Sequence, residues 1–380
     1  MKQRLKILFL LEFFSFYGGT EYINYNLISG LKELGHDVRV CVGERLSHDE
    51  WEKMLHEKGV DLLVSDIPYD ISYSLGGYLE FIRYVVDRLV AKWKPDLIFS
   101  HPPGKMLISY LGIHLQSTIP VAAMEYTVPG ESTDHWYHPE LKTILPRISA
   151  FIAKCGEAEK GLRDYFGYKG KIYRLPNLVA KVPAPETDIK GDLLSVGCVG
   201  RLSPEKGIGF LLGAWRQVVK EVPEASLHIY GHGQYGEYYR QLANSLGLQS
   251  RVIFEGAFHP ITGLDKVADR HRIFVQPSLF ESMPNSLIEL MLRGKAIVAT
   301  GVGGIPELIR PEHGEGILVE PGSSDSLAAA ILSLMRDEGL ADTMARKSRE
   351  QVQKNYDYDS NLLKYEQVLL EIAGKGAMRE

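Results

Sequence analysis

The chain has 380 residues, 45% of them apolar and 24% charged, with a formal net charge of −5. That length exceeds one ordinary core and predicts two domains, and the acidic balance offers a nucleic acid no electrostatic footprint. Cys41, Cys155 and Cys198 are widely spaced and odd in number, which suits reduced thiols in a cytoplasmic protein rather than a disulfide framework or a metal site.

The N-terminus, MKQRLK followed by ILFLLEFFSF, imitates a secretion signal, but Glu12 interrupts the apolar run and no small-residue cleavage site follows. A buried first strand is the expectation. No segment approaches the roughly 18 continuous apolar residues of a spanning helix, so any membrane contact is expected to be peripheral. Strands are then predicted at 6–11, 37–42, 60–64, 95–100, 119–124, 148–154 and 171–176, with helices between them such as 20–34 and 78–92. Strand and helix alternate throughout, the pattern of parallel sheets covered on both faces. The polar segment 179–192 reads as an interdomain linker. A second series follows, with strands at 193–200, 225–231, 251–256, 272–277, 296–300 and 316–320 and a helix at 207–220, before a helical C-terminus. The fold class is therefore α/β, with two doubly wound domains facing a central cleft. The domains are expected at 1–178 plus about 358–380, and at 179–357.

Chemistry concentrates where strands hand over to helices. Gly18 and Gly19 lie between the first strand and the first helix, where paired glycines admit close backbone approach and positive φ. In GRLSPEKG (200–207), Arg201 and Lys206 are expected beside a helix N-terminus, and both suit phosphate oxygens. In LFESMPNSLIEL, Glu281 follows a strand, and Glu289 lies on the helix that begins near Asn285. Ligands of open α/β sheets bind at such strand ends, and a helix start favours an anion. Carboxylates beside an anion are useful when they accept hydrogen bonds from hydroxyls, so the set suits a diphosphate flanked by a sugar and a ribose. IYGHGQYG (229–236) matches a dinucleotide Gly-x-Gly-x-x-Gly, but it sits mid-chain and also suits a turn beside the nucleotide. The Asp-x-Asp at 357–359 lies in a helical tail, and no metal site is predicted. Two carboxyl groups also raise a glycosidase, which needs them about 5–9.5 Å apart; eight residues of helix already rise about 12 Å.

These segments resemble the retaining glycosyltransferases of family 4, or group 1, which have the GT-B fold of two Rossmann-like domains. The resemblance rests on GGTE (18–21), GRLSPEKG (200–207), GHG (231–233), PSLFESMPNSLIE (277–289) and GVGGIPELI (301–309), and is strongest over 193–335. It implies a donor-binding second domain and an acceptor-side first domain. Arg201 and Lys206 would neutralise the donor diphosphate, Glu281 would hold the transferred sugar and Glu289 the ribose. Gly18, Gly19, Gly231 and the backbone of Met283, Pro284, Asn285, Ser286 and Leu287 would complete the donor contacts. No cofactor or metal is implied; the co-substrate would be a UDP or GDP sugar. Where many members carry a histidine, this chain has Glu125 and Tyr126. Glu125 is the candidate for deprotonating the acceptor, unless the departing phosphate takes the proton. His101, Tyr126, His135 and Trp136 are the acceptor-side candidates.

The product would be a surface polysaccharide or glycolipid. Residues 142–174 carry eight Lys or Arg against three Asp or Glu, a local +5 that suits an anionic membrane surface or a lipid diphosphate acceptor. A nucleotide-sugar 2-epimerase shares the fold and is the main alternative; a dinucleotide oxidoreductase and a non-catalytic sugar-nucleotide binder are the others.

Overall fold

The computed structural model describes residues 3–13, 18–44, 50–64, 79–130, 133, 137–179, 181, 190–259 and 262–375. The chain divides into two compact units, Met1–Leu178 with Tyr358–Glu380, and Val179–Asp357.

The first unit is built on seven parallel strands: β1 (Lys6–Phe13), β2 (Asp37–Glu44), β3 (Asp61–Val64), β4 (Leu97–Ser100), β5 (Val121–Met124), β6 (Ala150–Ala153) and β7 (Lys171–Arg174). Their order is β3-β2-β1-β4-β5-β6-β7. The apolar N-terminal run is thus a central strand; Ile7 to Leu11 are fully buried. β4, β5 and β6 are buried along their whole length, as expected of parallel strands with helices on both faces. The C-terminal helix Tyr358–Ile372 packs in this unit. It is held by His36, whose Nε2 lies 2.9 Å from Glu366, by Tyr358 donating to the Asn26 carbonyl at 2.9 Å, and by Lys154 bonded to the Tyr365 hydroxyl. The backbone N–H of Leu5 donates to His36 Nδ1, so Nε2 carries the proton and is the donor to Glu366.

The second unit has six parallel strands: β8 (Asp192–Val199), β9 (Ser226–Tyr230), β10 (Val252–Gly256), β11 (His271–Gln276), β12 (Ala296–Thr300) and β13 (Ile317–Val319). Their order, β10-β9-β8-β11-β12-β13, is the 3-2-1-4-5-6 arrangement of a doubly wound sheet, and β8 and β11 flank the point where the order reverses. Alternate side chains of β8 and β9, Val196, Cys198, Leu227 and Ile229, meet Trp215 and Leu211 of helix Ile208–Glu221 and Leu327 and Ile331 of helix Ser324–Arg336 in one core. Among the described residues no helix is long and apolar enough to cross a membrane, and no group of three metal-ligating side chains gathers.

Candidate active site

In the second unit Lys206 and Glu281, both singled out by sequence, meet at the β8–β11 reversal point. β8 leads into a short 3-10 turn, Pro204–Lys206, closed by Gly207 at φ 65°. A Cβ on Gly207 would lie 1.9 Å from the carbonyl oxygen of Pro277, so glycine is required both by conformation and by the approach of the β11 loop. The Leu279 N–H donates to the Glu205 carbonyl at 2.8 Å and pins the two loops together. Across that joint Lys206 Nζ reaches Glu281 Oε1 at 2.6 Å, with both side chains largely buried.

The same oxygen accepts hydrogen bonds from Gln276 Nε2 at 3.0 Å and Ser278 Oγ at 2.8 Å. Gln276 also donates to Ser278 Oγ at 2.8 Å, and Thr300 Oγ1 donates to the Ser278 carbonyl at 2.5 Å. Glu281 is therefore an oriented carboxylate with three donors on one oxygen. Gln276 and Ser278 were not singled out by sequence, although both immediately precede Glu281 at the strand end.

The helix Asn285–Leu292 begins just beyond, with Pro284 at its N-cap and no side-chain cap. Its first-turn N–H groups therefore point out of the helix start, where Asn285, Ser286 and Leu287 lie. Glu289 is on the second turn and is 7% exposed. Met283, in the intervening loop, accepts a hydrogen bond at sulfur from the Tyr356 hydroxyl at 3.7 Å. The loop is backed by Gly304, whose N–H donates to the Ser282 carbonyl at 2.6 Å. Arg201 differs from Lys206: its side chain is 64% exposed, and its guanidinium sits 3.3 Å from Glu205.

The Gly-x-Gly-x-x-Gly match is a packing device here. Gly231 adopts φ 138°, and a Cβ there would sit 1.9 Å from the carbonyl oxygen of Gly200. The Leu202 N–H bonds the His232 carbonyl at 2.9 Å, and the Tyr235 N–H bonds the Leu202 carbonyl at 3.2 Å. The GHG turn thus laces the Arg201 loop in place.

In the first unit Gly18 departs from expectation. It is the N-cap of helix Gly19–Glu33 with φ −87°, and Gly19 has no positive φ either. A Cβ at position 18 would meet the end of the Glu21 side chain, which would have to shift.

His101, Glu125 and Lys154 are the residues that immediately follow β4, β5 and β6, and all three are buried. Glu125 Oε1 accepts from the Tyr126 and Thr127 N–H groups at 2.9 and 3.0 Å and from the Tyr137 hydroxyl at 3.1 Å. Burial outweighs these bonds and pushes its carboxyl up to about 7. His101 Nδ1 lies 2.8 Å from Asn24 Oδ1; burial and the nearby Lys154 hold the ring well below the usual histidine range. Tyr126 stands edge-on to His101 with ring centres 6.5 Å apart. His135 and Trp136 lie outside the described residues. Lys154 was missed by sequence; its only signal was a lysine closing an apolar strand.

Several cations of the basic run 142–174 are engaged within the first unit. Lys142 lies 4.6 Å over the Tyr165 ring, Arg147 bonds the carbonyls of Leu111 and His114, and Arg163 bonds those of Tyr168 and Gly170. Lys160 pairs with Asp164, Lys171 with Glu371, and Lys154 is buried.

The two parallel-sheet units have the GT-B fold, and the chain belongs to the group 1, or family 4, glycosyltransferases. Residues 194–337 match the family model for glycosyl transferases group 1, and residues 17–180 match that for glycosyltransferase family 4. The chain is 32% identical to an uncharacterized glycosyltransferase of Methanocaldococcus jannaschii over 43% of this chain and 41% of that one. It is 25% identical to the lipopolysaccharide core biosynthesis glycosyltransferase LpsD of Rhizobium meliloti, over 89% of this chain and 91% of that one. The crystal structure of Anabaena HepE in complex with UDP superposes with a TM-score of 0.76 at 20% identity, over 97% of this chain and all of that one.

Proposed function

We propose that this enzyme moves a hexosyl or N-acetylhexosaminyl group, with retention at the anomeric carbon, from a UDP or GDP sugar to a hydroxyl of a sugar or lipid-linked acceptor. The reading is carried by one observation: Lys206 and Glu281 meet at 2.6 Å beside an uncapped helix start at the sheet reversal point. Bond cleavage places negative charge on the leaving diphosphate and positive charge on the sugar ring. Groups that bind this separated state better than the ground state lower the barrier. Lys206, Arg201 and the first-turn N–H groups of Asn285–Leu287 meet the diphosphate, with Met283, Pro284 and Ser286 shaping that loop. The Glu281 carboxylate, held by Gln276 and Ser278, accepts a hydrogen bond from the sugar and stabilises the cationic ring; Glu289 takes the ribose. Gly18, Gly19 and Gly231 are assigned to the donor side by the family resemblance.

The acceptor is assigned to the first unit, at His101, Glu125 and Tyr126. With its proton affinity raised to near neutrality, Glu125 is suited to take the acceptor proton. The likeness to LpsD favours a product in surface polysaccharide or glycolipid synthesis, and the solved complex of HepE with UDP favours a uridine donor. Transfer is preferred to 2-epimerisation because the Rhizobium relative is named as a glycosyltransferase. The test is release of nucleoside diphosphate from UDP-glucose, UDP-N-acetylglucosamine and GDP-mannose with and without a cell-envelope glycolipid extract. Acceptor-dependent release of diphosphate, with the new glycosidic bond α by NMR, is expected. Donor turnover to a 2-epimer without diphosphate release would overturn the reading.

A further inference from the structure

β4, β5 and β6 are neighbours in the first sheet, and adjacent strands lie about 4.8 Å apart. The first residue beyond each is His101, Glu125 and Lys154 respectively, so three titratable side chains stand in a row at one end of the sheet. They are 1%, 0% and 6% exposed.

The row is electrically incomplete. Lys154 has no carboxylate partner among the described residues; it bonds the Tyr365 hydroxyl and lies 4.9 Å from the centre of that ring. Glu125 pairs with no cation, and its Oε2 has no hydrogen-bond partner among the described residues. The Nε2 of His101 is likewise buried without a partner. Its tautomer is fixed by Asn24. Asn24 Nδ2 donates to the His101 carbonyl at 3.2 Å, which orients the amide so that Oδ1 faces His101 Nδ1 and must accept from it. Nδ1 therefore carries the proton, and the neutral ring presents a bare lone pair at Nε2.

A buried lysine without a counter-ion destabilises a fold, and apolar replacement of buried charge is often neutral or stabilising. Retention of such a cost is the usual signature of function. We propose that Lys154, His101 and Glu125 form a buried polar subsite that is completed by adjacent hydroxyls of the acceptor sugar, with Lys154 donating to a hydroxyl oxygen and His101 Nε2 and Glu125 Oε2 accepting hydrogen bonds from hydroxyl groups. The inference rests on the transferase reading and extends it to a residue outside the sequence candidates. A hydroxyl both donates and accepts, so it matches a row with one donor and two lone pairs. It also suits Glu125 in either protonation state. A phosphate would satisfy Lys154 but would face the bare lone pair of His101 with another lone pair.

The test uses the full chain and methyl α- and β-glucosides, galactosides and mannosides as probes, titrated calorimetrically at pH 8. At least one hexoside is expected to bind the wild type and to bind Lys154→Met about tenfold more weakly, the effect of losing one buried hydrogen bond from the amine. Lys154→Met is expected to unfold at the same or a higher temperature than the wild type. His101→Phe, which keeps a ring but no lone pair, should weaken the same hexoside. No hexoside binding to the wild type, equal binding by Lys154→Met, or a lower unfolding temperature for that variant would overturn the proposal; equal binding would leave internal water as the partner of the row. UDP titrated into the same proteins separates the two readings. Failure of UDP to bind the wild type breaks the donor assignment in the second unit, whereas hexoside binding reports on the row alone.

Discussion

Strand ends of the two units treat charge in opposite ways. In the second, Lys206 meets the Glu281 carboxylate, which also takes Gln276 and Ser278. In the first, Lys154 and Glu125 are equally close to the ends of their strands and more deeply buried, yet neither forms an ion pair among the described residues. A paired set holds its geometry before a ligand arrives, which is what preorganised stabilisation of a developing charge requires. An unpaired set gains when a ligand supplies the missing partner. The proposed roles follow that contrast, with charge stabilisation in the second unit and hydroxyl recognition in the first.

Breaking the paired side should have the largest effect. Lys206→Ala and Arg201→Ala are each expected to lower kcat by about 100- to 1,000-fold, the scale for losing one preorganised donor to a developing anion, as measured by diphosphate release. Arg201 is the cleaner probe, because an exposed pair with Glu205 adds little to stability; its variant should unfold with the wild type. A kcat within a factor of two of wild type, measured on the true substrate pair, would remove both cations from the mechanism.

Ser278→Ala takes one donor from Glu281 without touching its charge. It should reduce kcat/KM for the sugar nucleotide about tenfold and leave the Kd for the bare nucleoside diphosphate unchanged. Ser278→Thr, which keeps the hydroxyl, should restore most of the loss. An equal loss of diphosphate affinity would show that the serine merely supports the loop.

The smallest effects are shifts in stability with pH, and they should run in opposite directions. Burial lowers Lys154 from its ordinary 10.5 to about 7, so between those values the unfolded chain binds a proton that the folded chain does not. Stability relative to Lys154→Met should therefore fall as pH drops from about 10.5 to about 7. Burial raises Glu125 from 4.5 to about 7, so the folded chain holds a proton that the unfolded chain has lost. Stability relative to Glu125→Gln should fall as pH rises through that window. Thermal unfolding across pH reads both, and a flat difference for either variant would mean that water reaches the group.

Legibility followed the same divide. Strand–helix alternation exposed the parallel α/β architecture, and a carboxylate after an apolar strand with an Arg/Lys loop before a helix pointed to the cluster in the second unit. Such features are local: each motif lies on a single strand-to-helix connection. The donors that orient Glu281 were harder to find, because Gln276 and Ser278 read as ordinary strand-end residues until their side chains turn toward one oxygen. Lys154 was invisible for a different reason. His101, Glu125 and Lys154 are separated by more than 20 residues each and become neighbours only through the order β4-β5-β6. Within the run 142–174 composition does not show that Arg147 and Arg163 bind carbonyls inside their own unit. Gly18 was legible as the residue before the first helix, but its backbone is extended rather than left-handed.

The central claim places a nucleotide diphosphate at the β8–β11 reversal point, and a crystal structure of the protein with UDP or GDP tests it most directly. The pyrophosphate should lie within hydrogen-bonding reach of Lys206 Nζ and the N–H groups at the start of helix Asn285–Leu292, with the ribose at Glu289. A nucleotide seated elsewhere on the chain, with Lys206 still bound only to Glu281, would contradict the account.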